Sequence, residues 1–469
     1  MKRLLLSLLV LPMTSLATEA TLPESIRSVV NVRQVPDAAV SIFAIDLESN
    51  EILLDWNGAA SRNPGSTVKL VTTLAALDIL GPAYTWRTNF FALGNINHGV
   101  LNGDLIIQGG GDPFLVAERI WQMLRQLRRA GVEHVRGKLI IDDSYFAVDN
   151  VDPGAFDGQP LRSYNVVPNA LLMNFKTVRY WFTPAANGRS VTIQPDPDLE
   201  NLTIRNQLSQ KAGPCRGYQR GVAINANDGH DTMTFSGRFP SGCEAYAMDR
   251  TALSHNEYVF GLFIFLWDQL GGSLTGGWQN GSTPQDLEAL VSFESLPMTD
   301  VVTRINKFSN NVMARHLVFT LAAEANGVPG TEAGGIAEIN QWLDENNLDD
   351  ENFVMVNGAG LSRDTRMTTQ HLVRLLQYAW GQSYMPEYMS SLALSGLDGT
   401  VRRRFDASWL DGKAHLKTGS LDHVSAIAGY LQSRSGRRYA VAIMVNHQDA
   451  HRGPGNEIQE AVVRWLYER

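Results

Sequence analysis

Three short clusters in this chain hold residue types that can activate a hydroxyl. Ser66-Thr67-Val68-Lys69 sets a serine and a lysine three positions apart. On a helix such side chains share a face about one turn apart, so Lys69 can lie beside the Ser66 hydroxyl. A serine is a weak nucleophile until a neighbouring base takes its proton. A lysine becomes that base when burial and positive neighbours lower its pKa. Lys417-Thr418-Gly419 adds a second ammonium, and Thr418 with Ser420 offers hydroxyls to a carboxylate. Gly419, on a predicted strand, permits the close approach of a ligand or another backbone. Ser309-Asn310-Asn311 has the form S-x-N, able to relay a leaving-group proton and hold an amide. The same form occurs at Ser61, Ser163 and Ser254, and Ser309 is selected because the amphipathic run Val312, Leu317, Leu321 follows it.

The elements that must position these groups are legible nearby. Asn63-Pro64-Gly65 breaks the chain just before Ser66, and Thr67 to Leu80 reads as an almost wholly apolar helix ended by Gly81. A helix apolar on all sides is buried within a domain. Ala39 to Asp46 and Ile52 to Trp56 read as a hairpin around Glu48-Ser49-Asn50. Ala414 to Ser420, Val424 to Gln432 and Arg438 to Asn446 read as three successive antiparallel strands. Ile458, Val462, Trp465 and Leu466 place one apolar stripe on a terminal helix. If these strands share one sheet covered by helices, the two ends of the chain (22–88 and 284–469) form a single catalytic domain of α/β (α+β) class. The stretch 89–283, rich in Gly, Asn, Asp and short strand-like runs, is then a nested insertion of one or two mainly β domains.

The 469 residues are 44% hydrophobic and 19% charged, as in an ordinary globular protein. A net charge of -8 gives a nucleic-acid partner no electrostatic support. Met1-Lys2-Arg3, the apolar run Leu4 to Pro12 and Ser15-Leu16-Ala17 have the order of a cleavable secretory signal ending at residue 17, which implies a periplasmic protein. The most apolar later run, Val259 to Trp267, is far too short to span a membrane, so no transmembrane anchor is expected. Cys215 and Cys243 remain, and an oxidising compartment favours a disulfide between them. The ten histidines show no ligand-like spacing, and neither a metal nor a cofactor is called for.

Taken in the order S-x-x-K, S-x-N, K-T-G, the three clusters resemble the penicillin-recognising serine enzymes. Ser66 and Ser309 stand 243 residues apart, and a large insertion at this place is similar to the class C low-molecular-mass penicillin-binding proteins, the D-alanyl-D-alanine carboxypeptidase/endopeptidase family. Further matching strings are Gly103-Asp104-Leu105 with Gly109-Gly110-Gly111-Asp112-Pro113, and Asp142-Asp143-Ser144-Tyr145-Phe146. Downstream lie Asn357 to Arg363 and Gly396-Leu397-Asp398-Gly399-Thr400. The resemblance implies that Ser66 is acylated by the peptide carbonyl next to a terminal D-Ala, with Lys69 as its base. Ser309 and Lys417 would complete the proton relay, and Asn311 would hold the peptide amide. Thr418 and Ser420 would take the terminal carboxylate, and the Ser66 and Ser420 N–H groups the oxyanion. The strand Ala414 to Ser420 would pair with the extended substrate. Partners would be peptidoglycan stem peptides and crosslinks, with β-lactams as covalent inhibitors. Asp142 (or Asp143), Phe146 and Arg363 would recognise a diaminopimelate side chain, and Asp422, where relatives can carry an amide, would favour an amino group. A secreted β-lactamase and a non-catalytic wall-binding protein are the competing readings.

Overall fold

The computed structural model describes residues 21–217, 221–405 and 409–469, so the expected signal over 1–17 lies outside the described residues. The two ends of the chain meet in one six-stranded antiparallel sheet. Its spatial order is Ala393–Leu394, Ala414–Leu421, Val424–Gln432, Arg438–Asn446, Val40–Asp46, Ile52–Trp56. The N-terminal hairpin therefore pairs with the last strand of the chain, Phe43 opposite Ala442.

Helices cover both faces of this sheet, which explains why Val40–Asp46 is buried throughout yet alternates. Phe43 and Ile45 enter one core, with Leu70, Val71 and Leu74 of the helix Lys69–Leu80. Ile42 and Ala44 enter the other, with Ile26 of Glu24–Val32 and Ile458, Val462 and Leu466 of Pro454–Tyr467. Lys69–Leu80 is apolar on all sides because the sheet lies on one flank, while Met298–Phe308 and Asn311–Asn326 pack against it as well.

After Leu80 the chain leaves the main sheet. Arg87–Asn97 enters a separate seven-stranded sheet, and Val291–Glu294 closes the excursion by pairing with it, Val291 opposite Phe90. Two three-stranded sheets lie between them. One has Thr177–Pro184 between Val191–Asp196 and Tyr246–Thr251; the other holds Thr203–Pro214, Val222–Ala226 and Thr232–Gly242. Cys215 and Cys243 form a disulfide. The region also carries two full helices, Ala117–Arg129 and His255–Gln269, and the apolar run Val259 to Trp267 lies inside the second. Among the described residues no helix is long and apolar enough to cross a membrane.

Candidate active site

Ser66 sits not on an α-helix but on the 3-10 turn Gly65–Val68 that leads into Lys69–Leu80. Asn63 builds the approach: its Oδ1 accepts the Gly65 N–H at 2.9 Å, and its Nδ2 donates to the Ser362 carbonyl at 2.9 Å. Gly65 has a φ of 51°, and its carbonyl is so close to Gly360 that a Cβ there would stand 2.1 Å away. The tighter turn still carries Lys69 back to the serine, with 3.0 Å between Nζ and Ser66 Oγ. Lys69 Nζ also donates to Asn311 Oδ1 at 2.7 Å and to the Ala359 carbonyl. Asn357 shapes that last contact: its Oδ1 accepts the Ala359 and Gly360 N–H groups, both at 3.1 Å.

The S-x-N residues occupy the joint between two helices. Ser309 ends Met298–Phe308 in a left-handed conformation (φ 56°), and Asn310 caps Asn311–Asn326 by accepting the Met313 N–H. A serine held there is backbone strain of the kind that clusters at functional sites. The joint turns Ser309 toward Lys417, whose Nζ donates to Ser309 Oγ at 2.8 Å.

Lys417 and Thr418 lie on Ala414–Leu421, whose outer neighbour Ala393–Leu394 pairs only with Leu416 and His415. From Lys417 onward that edge of the strand is unpaired within the sheet and can accept an extended peptide. Gly419 is what lets the strand touch the nucleophile turn: a Cβ there would lie 2.4 Å from the Pro64 carbonyl and 2.9 Å from Ser66 N. The Ser66 and Ser420 N–H groups thus belong to two backbones in contact, as an oxyanion hole requires. Thr400, the last residue of the Gly396-Leu397-Asp398-Gly399-Thr400 string, meets Thr418 with 2.8 Å between their hydroxyls. Its segment is tied to the S-x-N joint by an ion pair of Asp398 with Lys307.

Both lysines are fully buried. Burial first, and then the positive charge of Lys417, hold the Lys69 ammonium well below the usual lysine range. Burial alone pulls Lys417 down to about 7. Two cations cannot comfortably share this desolvated space, so one amine is left neutral beside the Ser66 hydroxyl. A hydroxyl touching a neutral amine, next to a second lysine–serine pair and two backbone N–H groups, can perform acyl transfer through a covalent serine.

Two expected substrate contacts are not brought to this cleft. Asp142 is buried, and its carboxylate accepts from Ser144, Thr283 and Gln108. Asp143 is likewise engaged, by Asn169. Phe146 packs against Phe319 and Ala170 and edge-on to His316, sealing the insertion onto Asn311–Asn326. The Asp-Asp-Ser-Tyr-Phe string thus fastens the insertion to Asn311–Asn326. The insertion instead reaches the cleft through residues 156–164. Asn311 Nδ2 donates to the Tyr164 carbonyl at 3.2 Å, and Phe156 lies under the Arg363 guanidinium with 5.0 Å from Cζ to the ring centre. The Tyr164 hydroxyl donates to Asp157 at 2.7 Å. Arg363 is exposed, donating to the Asp422 carbonyl at 2.9 Å and pairing with its carboxylate at 3.6 Å. The Asp422 carboxylate also lies 3.6 Å from His451 Nε2. The signal for Phe156 and Tyr164 was aromatic residues flanking Pro153-Gly154 in a Gly- and Pro-rich loop, which is too general to identify alone.

Comparison with known proteins agrees with this chemistry. Residues 22–469 match the model of the D-Ala-D-Ala carboxypeptidase 3 (S13) family. A D-alanyl-D-alanine carboxypeptidase of Actinomadura sp. is 28% identical over 95% of this chain and 84% of its own length. The D-alanyl-D-alanine carboxypeptidase DacB of Haemophilus influenzae is 24% identical over 88% and 87%. In fold, the chain is similar to penicillin binding protein 4 of Haemophilus influenzae, with a TM-score of 0.81 at 21% identity over 95% of this chain and 99% of that one. The mixed α/β architecture, the Ser66 centre and the match over nearly the whole chain lead to one assignment: the protein belongs to the S13 family of D-Ala-D-Ala carboxypeptidases, serine-type peptidases.

Proposed function

We propose that this enzyme cleaves peptidoglycan stem peptides and their crosslinks in the periplasm through an acyl-Ser66 intermediate. The observation that carries the reading is the Lys69 side-chain nitrogen, buried and 3.0 Å from Ser66 Oγ. Neutral Lys69 takes the Ser66 proton as Oγ attacks the carbonyl of the penultimate D-Ala. The Ser66 and Ser420 N–H groups hold the oxyanion. Ser309, backed by Lys417, delivers the proton to the departing nitrogen, and the terminal D-Ala leaves. Water then attacks the ester and frees Ser66. Thr418 and Ser420 bind the terminal carboxylate. Asn311 has a second amide hydrogen, beyond the one given to Tyr164, for the substrate backbone. β-Lactams enter by the same attack and remain as esters of Ser66; a β-lactam complex of the Haemophilus influenzae penicillin binding protein 4 shares this fold.

The insertion over 89–283 forms one or two domains that wall this cleft, and the segment 1–17 directs export and is removed. Phe156, Tyr164, Arg363 and Asp422 line the rim where the third stem residue lies. A crosslink presents the same D-Ala carbonyl with a larger leaving group, so endopeptidase action needs no second mechanism. Digesting purified crosslinked wall and separating the products tests this. Loss of dimers together with release of D-Ala is expected, and neither appearing with active-site-titrated enzyme overturns the proposal.

A further inference from the structure

The short turn that carries Tyr164 has a second side. Tyr164 gives its carbonyl to Asn311, while Arg162, two residues earlier, lines a separate cavity of about 690 Å³. Gln159, Asn225, His230, Tyr246 and Arg250 share that lining. Arg250 comes from the strand Tyr246–Thr251, where side chains alternate between faces. Its neighbour Asp249 is occupied by Arg179, at 2.8 and 3.1 Å. Among the described residues neither Arg162 nor Arg250 forms an ion pair. The carboxylate that lies within electrostatic reach of Arg162, Asp157, is held by Tyr164 and Asn165 at 2.7 and 2.8 Å. Arg250 spends one hydrogen bond on the Asp249 carbonyl. Burial and the charge of Arg162 together pull its guanidinium below the usual arginine range.

Two guanidinium groups, five donors each, thus meet in a cavity without a counter-anion of their own. Planar guanidinium matches carboxylate in a bidentate geometry, and the volume is that of a small-ligand site. We propose that this cavity binds a free carboxylate of the wall peptide outside its D-Ala-D-Ala terminus, with Arg162 and Arg250 as its ligands. The inference rests on the wall-peptide reading above. The link to the catalytic centre is short: Ser66 touches Lys69, Lys69 touches Asn311, and Asn311 touches Tyr164, whose Cα lies within about 7 Å of that of Arg162. The turn 162–164 therefore joins the wall of this cavity to the Asn311 contact beside Ser66.

The test uses two synthetic pentapeptide stems ending in D-Ala-D-Ala, one with its internal α-carboxylate free and one with it converted to the primary amide. Their dissociation constants are measured by calorimetry on Ser66→Ala, and on the same protein with Arg162→Gln alone or with Arg162→Gln and Arg250→Gln. A cooperative melt confirms that each variant folds; Arg162 is exposed, so its single substitution keeps the test available. The free-carboxylate stem is expected to bind about tenfold tighter than the amide. Arg162→Gln should narrow that difference and the double variant abolish it. Equal affinities, or a difference that survives both substitutions, overturns the proposal. So does inorganic phosphate binding with the same arginine dependence while the stem shows none, which would make the cavity a phosphate site. Release of D-Ala by the enzyme with Ser66 intact is read separately: its absence defeats the wall-peptide reading, while the calorimetry still judges the cavity.

Discussion

Replacing Gly419 with alanine places a methyl group in the seam between the strand Ala414–Leu421 and the nucleophile turn. The added Cβ would lie 2.4 Å from the Pro64 carbonyl oxygen, 2.9 Å from Ser66 N and 3.1 Å from Thr67 N. All three are backbone atoms, so no side chain can rotate away. Ordinary contact begins near 3.4 Å, and the strand must retreat from Ser66 by about 1 Å. That retreat widens the gap between the Ser66 and Ser420 N–H groups and pulls Thr418 from the carboxylate. A misplacement of this size costs about 100-fold in rate, or about 2.7 kcal/mol of transition-state stabilisation. Overpacking costs a further ~1–3 kcal/mol of stability, too little to unfold a domain with this much core. The assay is the second-order rate of Ser66 acylation by a fluorescent penicillin, alongside a thermal melt. Gly381→Ala is the control, since its Cβ would meet only the Tyr378 carbonyl at 3.5 Å. Acylation of Gly419→Ala within threefold of the parent rate would refute the close-packed oxyanion geometry.

The rate constant kcat/KM for D-Ala release should follow the two lysines. It falls as pH drops because protonated Lys69 cannot accept the Ser66 proton. It falls again as pH rises through about 7, where Lys417 loses its charge, and Lys417→Gln should remove that upper limb while lowering the maximum. Both lysines bind protons more readily when unfolded, so stability should rise with pH from about 7 toward 10.5, more steeply than in Lys417→Met; an identical slope in urea titrations would contradict the burial argument. Asp142→Ala should lower the melting temperature by leaving Thr283 and Ser144 unsatisfied, with kcat/KM unchanged, whereas Phe156→Ala should raise KM for a stem peptide about tenfold with little loss of stability. Replacing Cys215 and Cys243 by serine opens a loop closed across 28 residues and should cost about 2–4 kcal/mol in chemical denaturation, while penicillin acylation persists.

The six-stranded sheet and the helices on it were legible because they carry their periods openly. The hairpin at 40–56 and the three strands from 414 onward fall within a residue or two of their expected bounds, since alternation toward two cores leaves little freedom of register. The groups that meet around Ser66 were legible from types and order, but the contacts that hold them were not. Thr400 and Ala359 lie in strings that stand out in the sequence, but their pairing with Thr418 and Lys69 does not follow from those strings, and the Tyr164 carbonyl acts through backbone, which leaves no local pattern. The insertion was the least legible part. Its parallel pairing of Thr203–Pro214 with Thr232–Gly242 depends on contacts distant in sequence, and its two helices hid within a stretch dominated by turns. Nor does the local string at 142–146 announce that Asp142 is held by Thr283 and Gln108 or that Phe146 packs on Phe319, since those partners are distant in sequence.

The most direct test of the account is the mass of the peptide containing Ser66 after the enzyme is incubated with benzylpenicillin and digested with protease. A single adduct of one whole penicillin on Ser66, absent from Ser66→Ala and strongly slowed in Lys69→Ala, is the predicted result. An adduct on any other residue, or one that forms equally well without Lys69, would contradict it.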